Sequence, residues 1–273
     1  MAVSHGELVP STCAGTVHSV YRSTVNLAVT RGAPAALTHD AAPFLVTLAT
    51  ADLADQPCTV RLRDLPDARP GSPFRIEDGT LHLGDATVPL RDGARWRAAK
   101  PAELGRALRE GRHGLPARLA VVRDAAERRC AEVVTVLAPF SDPDRYSAGW
   151  VRRLVGLGPG LTPSGDDVLV GALLGERLVA AAFGPGAAGG LPARVLGTLE
   201  RTGDVSAHLL RLAAYGHFSA PLLGLAAALP DPARDLDAAL DTALSVGASS
   251  GADAAYGLVA ALADLLADAC LTA

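Results

Sequence analysis

The sequence predicts an α+β chain: a small, mostly antiparallel β domain over residues 1–98, followed by a larger all-α domain over residues 99–273. Three observations carry that expectation. Up to about residue 95, short β-branched runs alternate with turn residues. From Pro101 onward, apolar residues recur at three- and four-residue spacing. The chain is 49% apolar but only 4% aromatic, so Ala, Gly, Leu and Val make up its apolar content. Side chains that small allow helix backbones to approach closely.

In the first part, Thr16–Leu27, Pro43–Thr50, Cys58–Leu62, Phe74–Ile76 and Thr80–Leu83 read as strands. Arg69-Pro70-Gly71-Ser72 and Glu77-Asp78-Gly79 mark turns, and Asp78-Gly79 between two β-rich runs is a hairpin signal. The second part reads as helices over 101–111, 117–137, 145–155, 166–183, 192–201, 204–215, 219–229, 232–245 and 252–270. Gly, Pro or Asp stands at each break.

Charge and motif content exclude several functions. A formal charge of −4 without a basic stripe argues against nucleic acid as a partner. Lys100 is the only lysine and lies far from any glycine loop, and the GxxxxGK[ST] pattern is missing, so P-loop chemistry is excluded. Gly156-x-Gly158-x-Gly160 has the wrong spacing for a dinucleotide fingerprint and follows a helical run. Gly247-Ala248-Ser249-Ser250-Gly251 fits G-x-S-x-G formally. A nucleophile elbow, however, needs a strand before it and a later histidine, whereas 232–245 reads as helix and His217 is the last histidine. Cys13, Cys58, Cys130 and Cys270 are too scattered for a zinc site or a disulfide framework, and read as thiols in a reducing compartment. Met1–Gly15 lacks the basic and apolar regions of a signal peptide, and the apolar run Val168–Phe183 is interrupted by Glu176 and Arg177. A soluble, cytoplasmic protein is therefore expected, with no membrane partner and with oligomerisation left open.

One stretch stands apart: Gly156-Leu157-Gly158-Pro159-Gly160-Leu161-Thr162-Pro163-Ser164-Gly165-Asp166-Asp167, leading into an apolar helix with Thr162 or Ser164 as its expected N-cap. Helix N-termini present free N–H groups and favour anions. A weaker copy lies 86 residues on: Ser164-Gly165-Asp166-Asp167 then Gly171 is matched by Ser250-Gly251-Ala252-Asp253 then Gly257. Asp167, Gly171 and Gly175 share one helix face, as do Asp253, Gly257 and Ala261. Packed together, those stripes would bring Asp167 and Asp253 to a shared polar pocket. Acidic residues in a first helical turn are also favoured on dipole grounds alone, so Asp166, Asp167 and Asp253 equally fit a capping role. His208 reads as an ordinary helix-surface residue, Thr202, Asp204 and Ser206 as a second capping cluster, and Asn26 as a strand residue facing solvent or a cleft.

The run Gly156–Gly171 resembles the signature of the AllH family, whose named member is a subunit of oxamate carbamoyltransferase. Weaker matches are Val17–Leu27, the Thr202–Gly216 segment with Ser206, and Ser249–Asp253. The resemblance implies a role in purine and allantoin nitrogen breakdown. There, oxalurate and phosphate become oxamate and carbamoyl phosphate in a complex with an FdrA-like subunit and a further partner. The residues fit that chemistry in outline. Gly158, Gly160, Thr162, Ser164 and Gly165 are candidate anion binders, and Ser249, Ser250, Gly251, Asn26, Thr202 and Ser206 are further candidate substrate contacts. Asp166, Asp167 and Asp253 are the candidate catalytic groups, orienting an amine or holding Mg²⁺. The alternatives are a non-catalytic assembly subunit, or a stand-alone protein binding another ureido or carboxylated small molecule.

Overall fold

The computed structural model describes residues 1–38, 42–130, 146–187 and 189–271. The helical expectation over 131–137 and the start of that over 145–155 lie outside the described residues, as does the side chain of Cys270. Contacts divide the chain into two compact units, Met1–Ala98 and Ala99–Ala273.

The first unit is a curled, mixed, nine-stranded sheet. Its strands are β1 (Ala2–Gly6), β2 (Cys13–Val20), β3 (Thr24–Arg31), β4 (Phe44–Thr50), β5 (Thr59–Leu62), β6 (Pro73–Glu77), β7 (Thr80–Leu83), β8 (Ala86–Pro89) and β9 (Ala94–Trp96), in the order β8-β7-β6-β2-β3-β4-β5-β1-β9. All neighbours are antiparallel except β4 with β5 and β1 with β9. Asp78 and Gly79, with φ of 49° and 73°, close the β6–β7 hairpin as their dipeptide predicts. The single run expected over Thr16–Leu27 is instead a hairpin of β2 and β3. Its turn, Tyr21-Arg22-Ser23, has neither Gly nor Pro and is held by Tyr21 N–H donating to the Thr24 carbonyl at 2.8 Å. Strands β1, β8 and β9 were not expected; β8 and β9, four and three residues long, lie at the sheet edges. Buried Leu27, Val46, Leu48, Val60, Leu62, Ile76 and Leu81 build the core of this unit.

The second unit is helical among its described residues. Its helices are α1 (Pro101–Glu110), α2 (Leu115–Arg129), α3 (Ala148–Leu154), α4 (Ser164–Phe183), α5 (Leu191–Leu196), α6 (Asp204–Ala214), α7 (Ala220–Ala228), α8 (Leu236–Leu244) and α9 (Ser250–Leu271). The two long helices α4 and α9 form its centre and run parallel. Going along α4, Val168 meets Gly257, Gly171 meets Ala254 and Leu258, and Gly175 meets Leu258 and Ala261. A Cβ built on Gly171 would overlap the carbonyl oxygen of Ala254, and one on Gly257 would overlap that of Val168. The small-residue stripes thus pack backbone against backbone. The Ser250–Ala267 part of α9 is long and apolar enough to cross a membrane, with 67% of it buried inside the protein. It is a core helix of the fold.

Side-chain caps secure the surrounding helices. Arg118 of α2 donates from Nε to the Leu229 carbonyl and from Nη2 to that of Ala228, each at 3.0 Å, gathering the exposed carbonyls at the end of α7. Arg129 does the same for Leu244 at the end of α8, at 2.9 Å. Glu176 of α4 accepts from the N–H groups of Gly190 at 3.0 Å and Leu191 at 3.1 Å, where α5 begins.

The glycine contact makes a two-sided prediction. Gly171→Ala and Gly257→Ala should each lower stability by about 2–3 kcal/mol, because neither backbone can retreat without opening the core. Gly224→Ala on the exposed face of α7, where an added Cβ meets nothing, should raise stability by about 0.5–1 kcal/mol. Urea-unfolding midpoints of the three variants check both signs.

Candidate functional site

Because α4 and α9 are parallel, their N-termini lie side by side, and the two loops are tied across 88 residues of chain by a 2.9 Å hydrogen bond between the Thr162 and Ser250 hydroxyls. The loop before α4 turns at Gly158 and Gly160, with φ of 115° and 95°, and exposes its tip from Gly158 to Leu161. The residue preceding α4 is Pro163, and no side chain caps the helix; Ser164 is its first residue. The expected N-cap role of Thr162 or Ser164 is therefore corrected: the Pro163 carbonyl accepts from Asp166 N–H at 2.9 Å and Asp167 N–H at 3.1 Å, while the Thr162 hydroxyl turns to Ser250.

The three carboxylates at this end have different environments. Asp166, 1% exposed, accepts from Gly156 N–H at 2.8 Å, Thr202 Oγ1 at 2.5 Å and Ser206 Oγ at 2.7 Å. It ties the glycine loop, the segment before α6 and α6 itself to the start of α4. Burial raises its pKa and those three bonds oppose the rise. This is the arrangement of a structural clamp, and Thr202 and Ser206 are its donors.

Asp167 is 8% exposed and its Oδ2 has no hydrogen-bond partner. Burial first, and then the neighbouring charges of Asp253 and Asp166, push its pKa up to about 7 against the opposing pull of the Ser250 and Thr162 hydroxyls. Asp253 is fully buried, and both of its carboxylate oxygens lack a partner. The Cys130 thiol at the end of α2 lies close enough for Asp253 to raise its pKa, after burial, although no hydrogen bond is completed between them. Burial and that carboxylate hold Cys130 as an unreactive thiol.

The candidate anion donors are largely committed within the fold. Gly165 N–H donates to the Leu157 carbonyl at 2.8 Å, Gly251 N–H to that of Val246 at 3.0 Å and Asp253 N–H to that of Ser249 at 2.9 Å. Among the described residues no three His, Cys, Asp or Glu side chains converge so as to hold a metal ion. Asn26 lies in the other unit, where Ser19 faces it across β2 and β3 and Thr47 across β3 and β4. Its Nδ2 donates to Ser19 at 3.0 Å and its Oδ1 accepts from Thr47 at 2.8 Å, which makes it a buried sheet rung. Two cavities have linings that include none of these three carboxylates: one of 940 Å³ between α2 and α9 lined by Leu119, Arg123, Tyr256 and Asp264, and one of 730 Å³ on the sheet lined by Arg31, Arg75 and His82.

Sequence reasoning missed two features. His208, expected on the surface, is buried in α6, with burial and then Arg211 driving its pKa down to about 3. Arg211 is itself fully buried, with Nη2 3.0 Å from His208 Nδ1. The signal was present in the apolar neighbours Leu209, Leu210 and Leu212, which leave no polar face around these two residues. Nothing in the sequence pointed to Cys130 as a neighbour of Asp253.

The contrast between the clamp and the pair is measurable. Asp166→Ala orphans three donors, Ser206 fully buried and Gly156 and Thr202 partly so, and should cost about 3 kcal/mol. For Asp167 the folded-state pKa lies above the ordinary value of 3.8, so its contribution to stability is complete below about pH 4 and is lost as pH rises through 7. Asp253→Asn removes one of the charges that add to the effect of burial, so it should lessen this loss between pH 5 and 8; denaturant titrations across that range check it.

Comparison with protein families finds two matching profiles: the AllH family N-terminal domain over residues 2–95, and the oxamate carbamoyltransferase subunit AllH over residues 154–262. No curated protein and no solved structure matches the chain.

Proposed function

We propose that this chain, which belongs to the AllH family of oxamate carbamoyltransferase subunits, binds the carbamoyl-bearing substrate of that system at the joined N-termini of α4 and α9. The supporting observation is the Asp167–Asp253 pair: two buried carboxylates with three partnerless oxygens, set where two loops are tied by the Thr162–Ser250 bond. Unsatisfied buried acceptors are costly, and a ligand carrying N–H groups would satisfy them.

The reaction in this reading is the phosphorolysis of oxalurate to oxamate and carbamoyl phosphate. The bond between the carbamoyl carbon and the oxamate nitrogen breaks, a bond from that carbon to a phosphate oxygen forms, and the proton given up by the attacking hydrogen phosphate replaces the one delivered to the departing nitrogen. Asp167, with a pKa near neutrality, is suited to supply that proton. Asp253 would orient the carbamoyl group, and Asp166 would keep the loop in place. The phosphate is held with help from an FdrA-like partner subunit, and the reaction runs in the cytoplasm.

A second reading, a non-catalytic assembly subunit, draws support from the clamp at Asp166 and from the loop N–H groups already committed within the fold. Asp167→Asn separates the two. Under the proposed function this variant keeps its fold and assembly, its melting temperature no longer falls as pH rises through 7, and it loses at least tenfold in affinity for oxamate or oxalurate by calorimetry. Unchanged binding with failed assembly would instead favour the second reading.

A further inference from the structure

We propose that the cleft between α2 and α9 is a second ligand site, which takes a small amphipathic monocarboxylate with its carboxylate on Arg123 and its apolar body along the cleft toward Phe183. The lining includes none of the seam carboxylates, and the inference stands apart from the function proposed above.

The two helices run antiparallel here. The end of α2 lies by the start of α9, where the Asp253 charge reaches Cys130 and the charges of Glu127 and Arg123 reach Tyr256. From there the lining continues to Leu115 on one helix and Ala267 on the other. Tyr256 to Ala267 spans about 16 Å of helix, so the cleft is a trough long enough for an extended chain. Its volume of 940 Å³ lies within the range of small-molecule sites. The floor is apolar, since Leu115, Leu119, Tyr256 and Val259 are buried. The rim is open, with Ala263 and Ala267 exposed and Phe183 37% exposed. An apolar floor reached by water favours an apolar guest.

Charge along the lining sets the polarity of that guest. Burial and then Glu127 raise the Tyr256 pKa and Arg123 opposes them, so the Arg123 guanidinium stands at the Tyr256 end of the trough. Among the described residues no hydrogen bond or ion pair ties this guanidinium to another side chain. Arg112, at the other end, already donates from Nη1 to the Arg109 carbonyl at 3.3 Å. Asp264, between the two ends along α9, accepts from the Tyr146 hydroxyl at 3.1 Å, and its charge repels a second anionic group on the guest's body. A planar guanidinium fork matches a carboxylate in two parallel hydrogen bonds. One such fork at the end of an apolar trough, with an acid farther along, fits one anionic head on an apolar body.

Octanoate is the probe, with octanol and octylamine as the matched neutral and cationic chains. Calorimetric titration of the full chain should show octanoate binding at least fivefold tighter than either. Arg123→Gln, at an exposed position, should abolish that preference, and Arg112→Gln should change octanoate affinity by less than about twofold. Ala263→Phe, also at an exposed position, fills the trough and should weaken octanoate at least tenfold, with the circular dichroism of all three variants unchanged. Octanol or octylamine binding as tightly as octanoate, or a larger loss from Arg112→Gln than from Arg123→Gln, overturns the proposal. So does a failure of octanoate to bind, and so does a dimer that Ala263→Phe splits, since a second copy of the chain would then be the occupant.

Discussion

Two long helices run side by side in the same direction, close enough that Gly171 lies against the Ala254 backbone and Gly257 against the Val168 backbone. Parallel packing sets both positive helix ends at one place, a costly arrangement unless negative charge accompanies it. Asp166, Asp167 and Asp253 supply that charge, which is one physical reason for carboxylates there. The same contact dictates their inequality. Asp166 finds three donors, whereas Asp167 and Asp253 lie close enough for the charge of one to raise the pKa of the other, with only the Thr162 and Ser250 hydroxyls favouring the Asp167 carboxylate. The seam leaves Oδ2 of Asp167 and both oxygens of Asp253 without a hydrogen-bond partner.

That seam was legible in the sequence. The S-G-x-D-x-x-x-G repeat, read at helical periodicity, placed Asp167 with Gly171 and Asp253 with Gly257, and the structure packs these stripes together. Asp78-Gly79 was equally readable because two consecutive positive φ values leave few alternatives. Where local chemistry is weak, the reading failed. Tyr21-Arg22-Ser23 turns the chain without a turn residue, so two strands looked like one. Thr162 and Ser164 looked like caps because both are hydroxyl residues before a helix, but tertiary partners took the hydroxyl of Thr162. His208 looked like a surface residue because histidine is polar, although its apolar neighbours Leu209, Leu210 and Leu212 signalled burial. Pairings such as Cys130 with Asp253 are set only by the folded chain.

Two arginines that could have suggested a binding surface have structural work in the helical unit. Arg118 and Arg129, on one helix, hold the carbonyl ends of two others, a task suited to the planar fork of guanidinium and poorly matched by the point charge of lysine. In a chain with a single lysine, positive charge is therefore a resource for joining helix ends. It leaves the acidic seam without a cation of its own among the bonds described.

The Thr162–Ser250 bond closes a loop of 88 residues, and its two halves are made at different times during synthesis. While the ribosome is still extending the chain, the glycine loop has emerged but its counterpart has not, so the pair of carboxylates does not exist in any nascent form short of α9. Long-range closure of this kind is among the slower folding events. A molecule that presents the pair has therefore completed its helical core, and a partner that recognised the filled seam would be selecting finished subunits.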